Sequence, residues 1–131
     1  MIIAIDFDGT CVTHKYPEIG EDIGAAPVLR ALVKSGNRLI LNTMRSHRDY
    51  LGRDLLQEAV DWFKKNDIEL YGVNGNPDQK DWTDSPKVYA NMYIDDAALG
   101  CPKKQTPNGE IVVNWPEIGN WLMKVGLIET F

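Results

Sequence analysis

The stretch Met1-Ile2-Ile3-Ala4-Ile5-Asp6-Phe7-Asp8-Gly9-Thr10 decides the fold. Its apolar part, residues 2–6, has the length and composition of a buried strand in a parallel sheet. It ends in two carboxylates one residue apart, followed at once by a Gly-Thr turn. Residues i and i+2 of a strand point to the same side, so Asp6 and Asp8 can face one centre. In open α/β sheets the ligand crevice lies at the carboxyl ends of the strands. The run therefore delivers two acids to the place where chemistry sits. Asp and Gly also favour plain turns, so the rest of the chain must supply the partners that a site would need.

Outward from this strand the pattern alternates. Residues 11–23 contain Tyr16-Pro17 and Gly20 without helical periodicity and read as a flap over the strand end. A helix follows from Gly24-Ala25-Ala26-Pro27, with Pro27 in its first turn, where a missing N–H costs nothing. Val28, Leu29, Leu32 and Val33 form its inner face, and Gly36 stops it. Residues 38–43 are a second strand ending in Asn42-Thr43. A second helix is expected over about 47–65, with Ser46 as N-cap, Asp49 as the acid three residues on, and Leu51, Leu55, Leu56, Ala59, Val60 and Phe63 on one stripe. Residues 68–71 read as a third strand, 72–86 as a long loop, and 89–94 as a fourth strand ending at Asp95-Asp96. Residues 110–114 are expected to add a fifth strand, and Pro116 opens a closing helix to about Lys124. Such alternation predicts an α/β, Rossmann-like three-layer sandwich: a mainly parallel central sheet with helices on both faces. Residues 1–131 read as a single domain.

Composition narrows the class. Hydrophobic residues make up 44% and charged residues 25%, ordinary values for a globular protein. There is no apolar run of about 18 residues of the kind that spans a bilayer. The N-terminal apolar run is too short for a signal peptide, and Cys11 and Cys101 make no disulfide framework. A cytoplasmic protein without a membrane partner is the expectation. The net charge of −5 argues against a general nucleic-acid binder. It leaves open a phosphorylated substrate, because a bound cation would invert the local field.

If the strands are parallel, Asp6, Asp8, Asp95 and Asp96 converge on one crevice. Like charges at that density raise each other's pKa and oppose folding, so a counter-charge is required. Oxygen ligands select a hard cation, and few carboxylates with room for phosphate oxygens and water suit Mg²⁺. His14 and His47 have no partners at metal-binding spacing.

Asp-X-Asp-Gly-Thr after an apolar strand resembles the first motif of the haloacid dehalogenase-like phosphohydrolases. Three later signals are similar to that superfamily's remaining motifs, in the same order. They are Thr43 at the end of the second strand, Lys87 ahead of the fourth (with Lys80 competing), and the Asp95-Asp96 pair after it. The resemblance covers residues 2 to about 96. It implies a Mg²⁺-dependent phosphatase in which Asp6 attacks phosphorus and Asp8 serves as general acid and base. Mg²⁺ would be held by Asp6, the Asp8 backbone carbonyl, Asp95 and Asp96. Thr43 and Lys87, with backbone N–H groups near Phe7 and Met44, would hold the transferring oxygens. Arg45 and Asn74 are candidates for binding the rest of the substrate; His47, Arg48, Asn76 and Trp82 are further residues to follow.

The gaps between motifs hold only core elements, so the resemblance is to the capless type with an open site. A phosphorylated small molecule or a nucleic-acid end fits as substrate, and an open site beside an exposed 97–109 segment is compatible with a homo-oligomer that caps itself. A phosphotransferase, or a HAD-fold protein that only binds phosphate or a partner, stands as the alternative. A receiver domain of a response regulator shares the size and the chemistry. Its acceptor Asp belongs after the third strand, however, where this chain has Tyr71-Gly72-Val73-Asn74.

Overall fold

The computed structural model describes residues 1–49 and 51–131. Strand β1 (Ile2–Ile5) lies between β2 (Arg38–Leu41) and β4 (Met92–Ile94), and β2 pairs in turn with β3 (Gly72–Val73). The order is β3-β2-β1-β4 and every pairing is parallel. With helices α1 (Ala25–Lys34), α2 (Leu55–Lys65) and α3 (Trp115–Lys124), this is the expected α/β, Rossmann-like architecture. No cap domain interrupts the described residues. Residues 9–43 hold the flap, α1 and β2, and residues 43–87 hold α2, β3 and a 3-10 turn at Gln79–Asp81.

Register explains the core. Ile3 sits opposite Leu39 and Met92, and Ile5 opposite Leu41 and Ile94. Alternation puts these side chains on one face. There they join Val28, Leu29 and Leu32 of α1, Ala59 and Phe63 of α2, and Ile118 and Leu122 of α3 in one buried cluster. Ala4 and Ile40, on the other face, are buried as well. The chain returns from β3 to β4 through a connection whose only regular piece is the 3-10 turn, where an α/β unit ordinarily has a helix.

Helix α2 starts later than its apolar stripe suggests. Its N-cap is Asp54, whose carboxylate accepts the Gln57 N–H at 2.9 Å, and not Ser46. The Asp49 carboxylate folds the preceding chain instead, accepting the Leu51 N–H at 2.6 Å and the Arg53 N–H at 3.3 Å. Gly52, at φ +71°, is non-helical, and Leu51 is exposed rather than part of the stripe. Local Asx hydrogen bonding outcompetes the helix there. Tyr50, inside the expected helix, lies outside the described residues.

Strand β3 is also displaced, to Gly72–Val73 from the expected 68–71. Ile68 is instead drawn into the core next to the end of α2, where its N–H donates to the Phe63 carbonyl at 2.9 Å. Residues 111–113 do form a strand, but it pairs antiparallel with Lys103–Gln105 as a separate hairpin, β5 (Lys103–Gln105) and β6 (Ile111–Val113). Lys103-Lys104-Gln105 carries no apolar alternation, which is why sequence reading misses it.

The hairpin and α3 brace the turn after β1. The Val113 N–H donates to the Gly9 carbonyl at 3.2 Å, and the buried Trp115 indole N–H donates to the Thr10 carbonyl at 2.6 Å. Residues far along the chain thus hold the Gly-Thr turn in place.

Candidate active site

β1 and its neighbour β4 end side by side, with the Asp6 N–H donating to the Ile94 carbonyl at 3.0 Å. That pairing brings Asp6 next to Asp95 and Asp96. One carboxylate oxygen from each of the three lies within 4.8 Å of the others, an arrangement that can hold a metal ion. Burial pushes the Asp6 carboxyl up to about 7 from an ordinary 3.8, and the charge of Asp95 adds to the rise. A hydrogen bond from Thr10 works in the other direction. The corner is short of positive charge, and a bound cation would answer both causes of the shift.

Thr10 is the residue here that sequence reading left in the turn. Its hydroxyl is fully buried, 2.9 Å from Asp6 Oδ2 and 3.2 Å from Asp96 Oδ1, and it accepts the Asp96 N–H at 3.0 Å. It fastens the two strand ends together. His14, set aside for want of a sequence partner, comes back from the flap with Nε2 3.0 Å from Asp96 Oδ2. Gly9 makes this possible: at φ +80°, a Cβ there would lie 2.2 Å from the His14 ring and 2.6 Å from Asp96. The position takes glycine for both its conformation and its space.

Asp8 leaves the same strand end but its side chain does not join the acid cluster. Arg45 Nε donates to Asp8 Oδ2 at 2.9 Å and Nη2 to Oδ1 at 2.8 Å, a bidentate fork. The guanidinium's remaining N–H groups go to the carbonyls of Glu18 at 2.9 Å, Pro17 at 3.2 Å and Leu55 at 3.3 Å. All the donors an arginine has are used, and the residue is 1% exposed. Arg45 therefore is not open to a substrate anion as expected. It belongs to the protein's interior, as the partner of Asp8.

Thr43 follows β2 beside β1, where the Asn42 N–H donates to the Ile5 carbonyl at 2.8 Å. Its hydroxyl accepts the Arg45 N–H at 3.1 Å, and its own N–H donates to Asn74 Oδ1 at 2.8 Å. Asn74, at φ +50°, is thus used differently from the expected substrate contact: its side-chain oxygen shapes the Thr43 turn. Lys87 is not brought to the acids. Its ammonium lies 5.4 Å from the centre of the Tyr93 ring, and Tyr93 alternates to the face of β4 opposite Ile94. Among the described residues no ion pair joins Lys87 or Lys80 to an acid. Lys80 lines a groove of about 470 Å³ together with Asn74, whose side chain accepts the Thr43 N–H. His47 holds Asp54 at 2.8 Å, and Trp82 stands edge-on to Tyr89 at 5.4 Å, both apart from the acid cluster.

A second groove, of about 640 Å³, runs between the flap and the β5–β6 hairpin, with His14, Lys15, Lys104 and Glu110 in its walls. Glu110 accepts the His14 backbone N–H across it. His14 thus contacts both this groove and Asp96.

No protein-family model and no curated protein matches the sequence. Among solved structures, a conserved protein from Bacteroides thetaiotaomicron is similar over 95% of this chain and 89% of its own, with 35% sequence identity and a TM-score of 0.71. No helix among the described residues is long and apolar enough to cross a membrane.

Proposed function

We propose that this chain, which belongs to one family with the conserved Bacteroides thetaiotaomicron protein, is a Mg²⁺-dependent phosphomonoester hydrolase of the haloacid dehalogenase-like superfamily. The observation that carries the reading is the meeting of Asp6, Asp95 and Asp96 at adjacent strand ends, with Asp6 raised to about 7 by burial and by the neighbouring charge of Asp95. The donors are all oxygens, with no thiolate among them, which suits Mg²⁺. Asp6, Asp95 and Asp96 would hold the ion through their side chains and Asp8 through its backbone carbonyl. The bound ion would neutralise charge on the phosphoryl group and return Asp6 to its ionised form.

Asp6, once ionised, attacks phosphorus. The bond from phosphorus to the leaving oxygen breaks, and the proton for that oxygen comes from Asp8. Water then attacks phosphorus of the aspartyl-phosphate, Asp8 takes its proton, and the Asp6 carboxylate is released with inorganic phosphate. Thr43 and the backbone N–H groups near Phe7 and Met44 receive the phosphoryl oxygens. Lys80, which shares a groove with Asn74, is the candidate for adding a positive charge, since Lys87 lies against the Tyr93 ring. The polar groove that meets Asp96 through His14 leaves room for a phosphorylated polar molecule.

Hydrolysis of p-nitrophenyl phosphate by the purified protein, in Mg²⁺ and in EDTA, tests the reading. Turnover that needs Mg²⁺ and disappears in Asp6→Asn is the expected result. Full activity in Asp6→Asn would overturn the mechanism.

A further inference from the structure

We propose that Arg45 is a positioning residue that locks the Asp8 carboxylate and the flap into one unit, so that the proton-carrying group is aimed only while the flap is seated. The role rests on the hydrolase reading above and deepens it. Its basis is the fully engaged guanidinium. Two of its N–H groups fix both oxygens of Asp8, and two others hold the carbonyls of Pro17 and Glu18 in the flap. The remaining one holds Leu55 at the start of α2, which ties the unit to the frame of the molecule. The guanidinium also contacts two aromatic rings, 5.1 Å from the centre of Phe7 and 5.3 Å from that of Tyr16. Phe7 belongs to the Asp-Phe-Asp motif and Tyr16 to the flap, so the cation is gripped from both bodies that it joins.

A second tie secures the same point of the flap. The Glu18 side chain accepts from Arg53 at 2.6 Å, and Arg53 forks onto Glu58 of α2 at 2.6 and 3.0 Å. Glu18 is thus held by its backbone through Arg45 and by its carboxylate through Arg53. A lone aspartate at a strand end turns freely about its side-chain bonds. The planar fork of an arginine removes that freedom, which neither the point charge of a lysine nor a neutral amide can do as fully.

Protonation of the leaving oxygen distinguishes this role from a purely structural one. p-Nitrophenolate leaves without help, whereas the alkoxide from an alkyl phosphate such as glycerol phosphate needs a proton. In Arg45→Gln, kcat/KM, which reports the step that expels the leaving oxygen, is expected to fall about 100-fold for the alkyl ester and less than about tenfold for p-nitrophenyl phosphate. Arg45→Lys should recover part of the loss, and it keeps the test readable where Arg45→Gln does not fold. In an Asp8→Asn background, Arg45→Gln should cost nothing further on the alkyl ester. Hydrogen exchange at the Thr13 amide, which bonds to the Glu21 carbonyl at 3.0 Å in the flap, should quicken in Arg45→Gln.

Equal losses of kcat/KM on the two esters, or an undiminished loss in the Asp8→Asn background, would overturn the positioning role while leaving the hydrolase intact. Unchanged flap exchange would overturn the coupling to the flap. A parent protein that hydrolyses neither ester would remove the hydrolase reading and this role with it.

Discussion

Asp6 and Asp8 leave the same strand two residues apart, yet the protein treats their charges in opposite ways. Asp6 is packed against two more carboxylates, with the Thr10 hydroxyl between Asp6 and Asp96 and the His14 ring on Asp96 to soften the crowding. Asp8 has a buried arginine of its own, matched oxygen for nitrogen. One corner is arranged to receive positive charge from outside, and the other is already neutral. The difference supports the proposed roles: the crowded acids suit a bound cation, and the paired one suits a fixed side chain.

The sharpest way to break this contrast is to neutralise each acid separately. Asp6→Asn should lower kcat by about ten-thousandfold, measured on p-nitrophenyl phosphate in Mg²⁺. In EDTA at pH 8 it should leave stability unchanged or higher, because it deletes one of three crowded charges. Asp8→Asn should cost about 3–5 kcal/mol in urea unfolding, because it strands a buried guanidinium with half its fork unmatched. Equal stability of the two variants would mean that the corners do not differ as described.

Acidity sharpens the comparison further. The folded-state value of Asp6, about 7, is above the ordinary 3.8, so between these values the folded protein holds a proton that the unfolded chain has lost. Stability in EDTA should therefore fall as pH rises from about 4 to 7 and level off above. A cation competes with that proton. The rise in Tm on adding Mg²⁺ should then be larger at pH 8 than at pH 5, and should vanish in Asp95→Asn. A Mg²⁺ effect of the same size at both pH values would count against Asp6 as a ligand.

Thr10→Val is the mildest probe. It removes the hydroxyl that joins Asp6 to Asp96 and leaves the Asp96 N–H without its acceptor. A loss of about 1–2 kcal/mol in urea unfolding is expected, with a weaker response of Tm to Mg²⁺. An unchanged response would show that the bridge does not shape the cation site.

Much of this was legible in the sequence because two periodicities speak plainly. The apolar runs before Asp6 and Asp95 place both acids at strand ends, and parallel pairing of neighbours does the rest. What sequence does not carry is which polar groups meet across the chain. Arg45 looks like a solvated residue at a helix start until its partners Asp8, Pro17, Glu18 and Leu55 are assembled around it. His14 has no local sign of Asp96. The apolar stripe continues through Leu51 and so predicts an earlier start for α2, while Asp49 and Gly52 turn the chain the other way. Lys103–Gln105 is a strand only by virtue of the segment opposite it.

Whether Asp6 takes up the phosphoryl group can be read from the protein itself. The protein is mixed with a phosphomonoester and Mg²⁺, quenched in acid within one turnover, digested, and its peptides are weighed. One added phosphoryl group is expected on the peptide containing Asp6, released by hydroxylamine and absent when EDTA replaces Mg²⁺. Turnover with the phosphoryl group on another residue, or with none on any peptide under conditions that trap acyl phosphates, would contradict it.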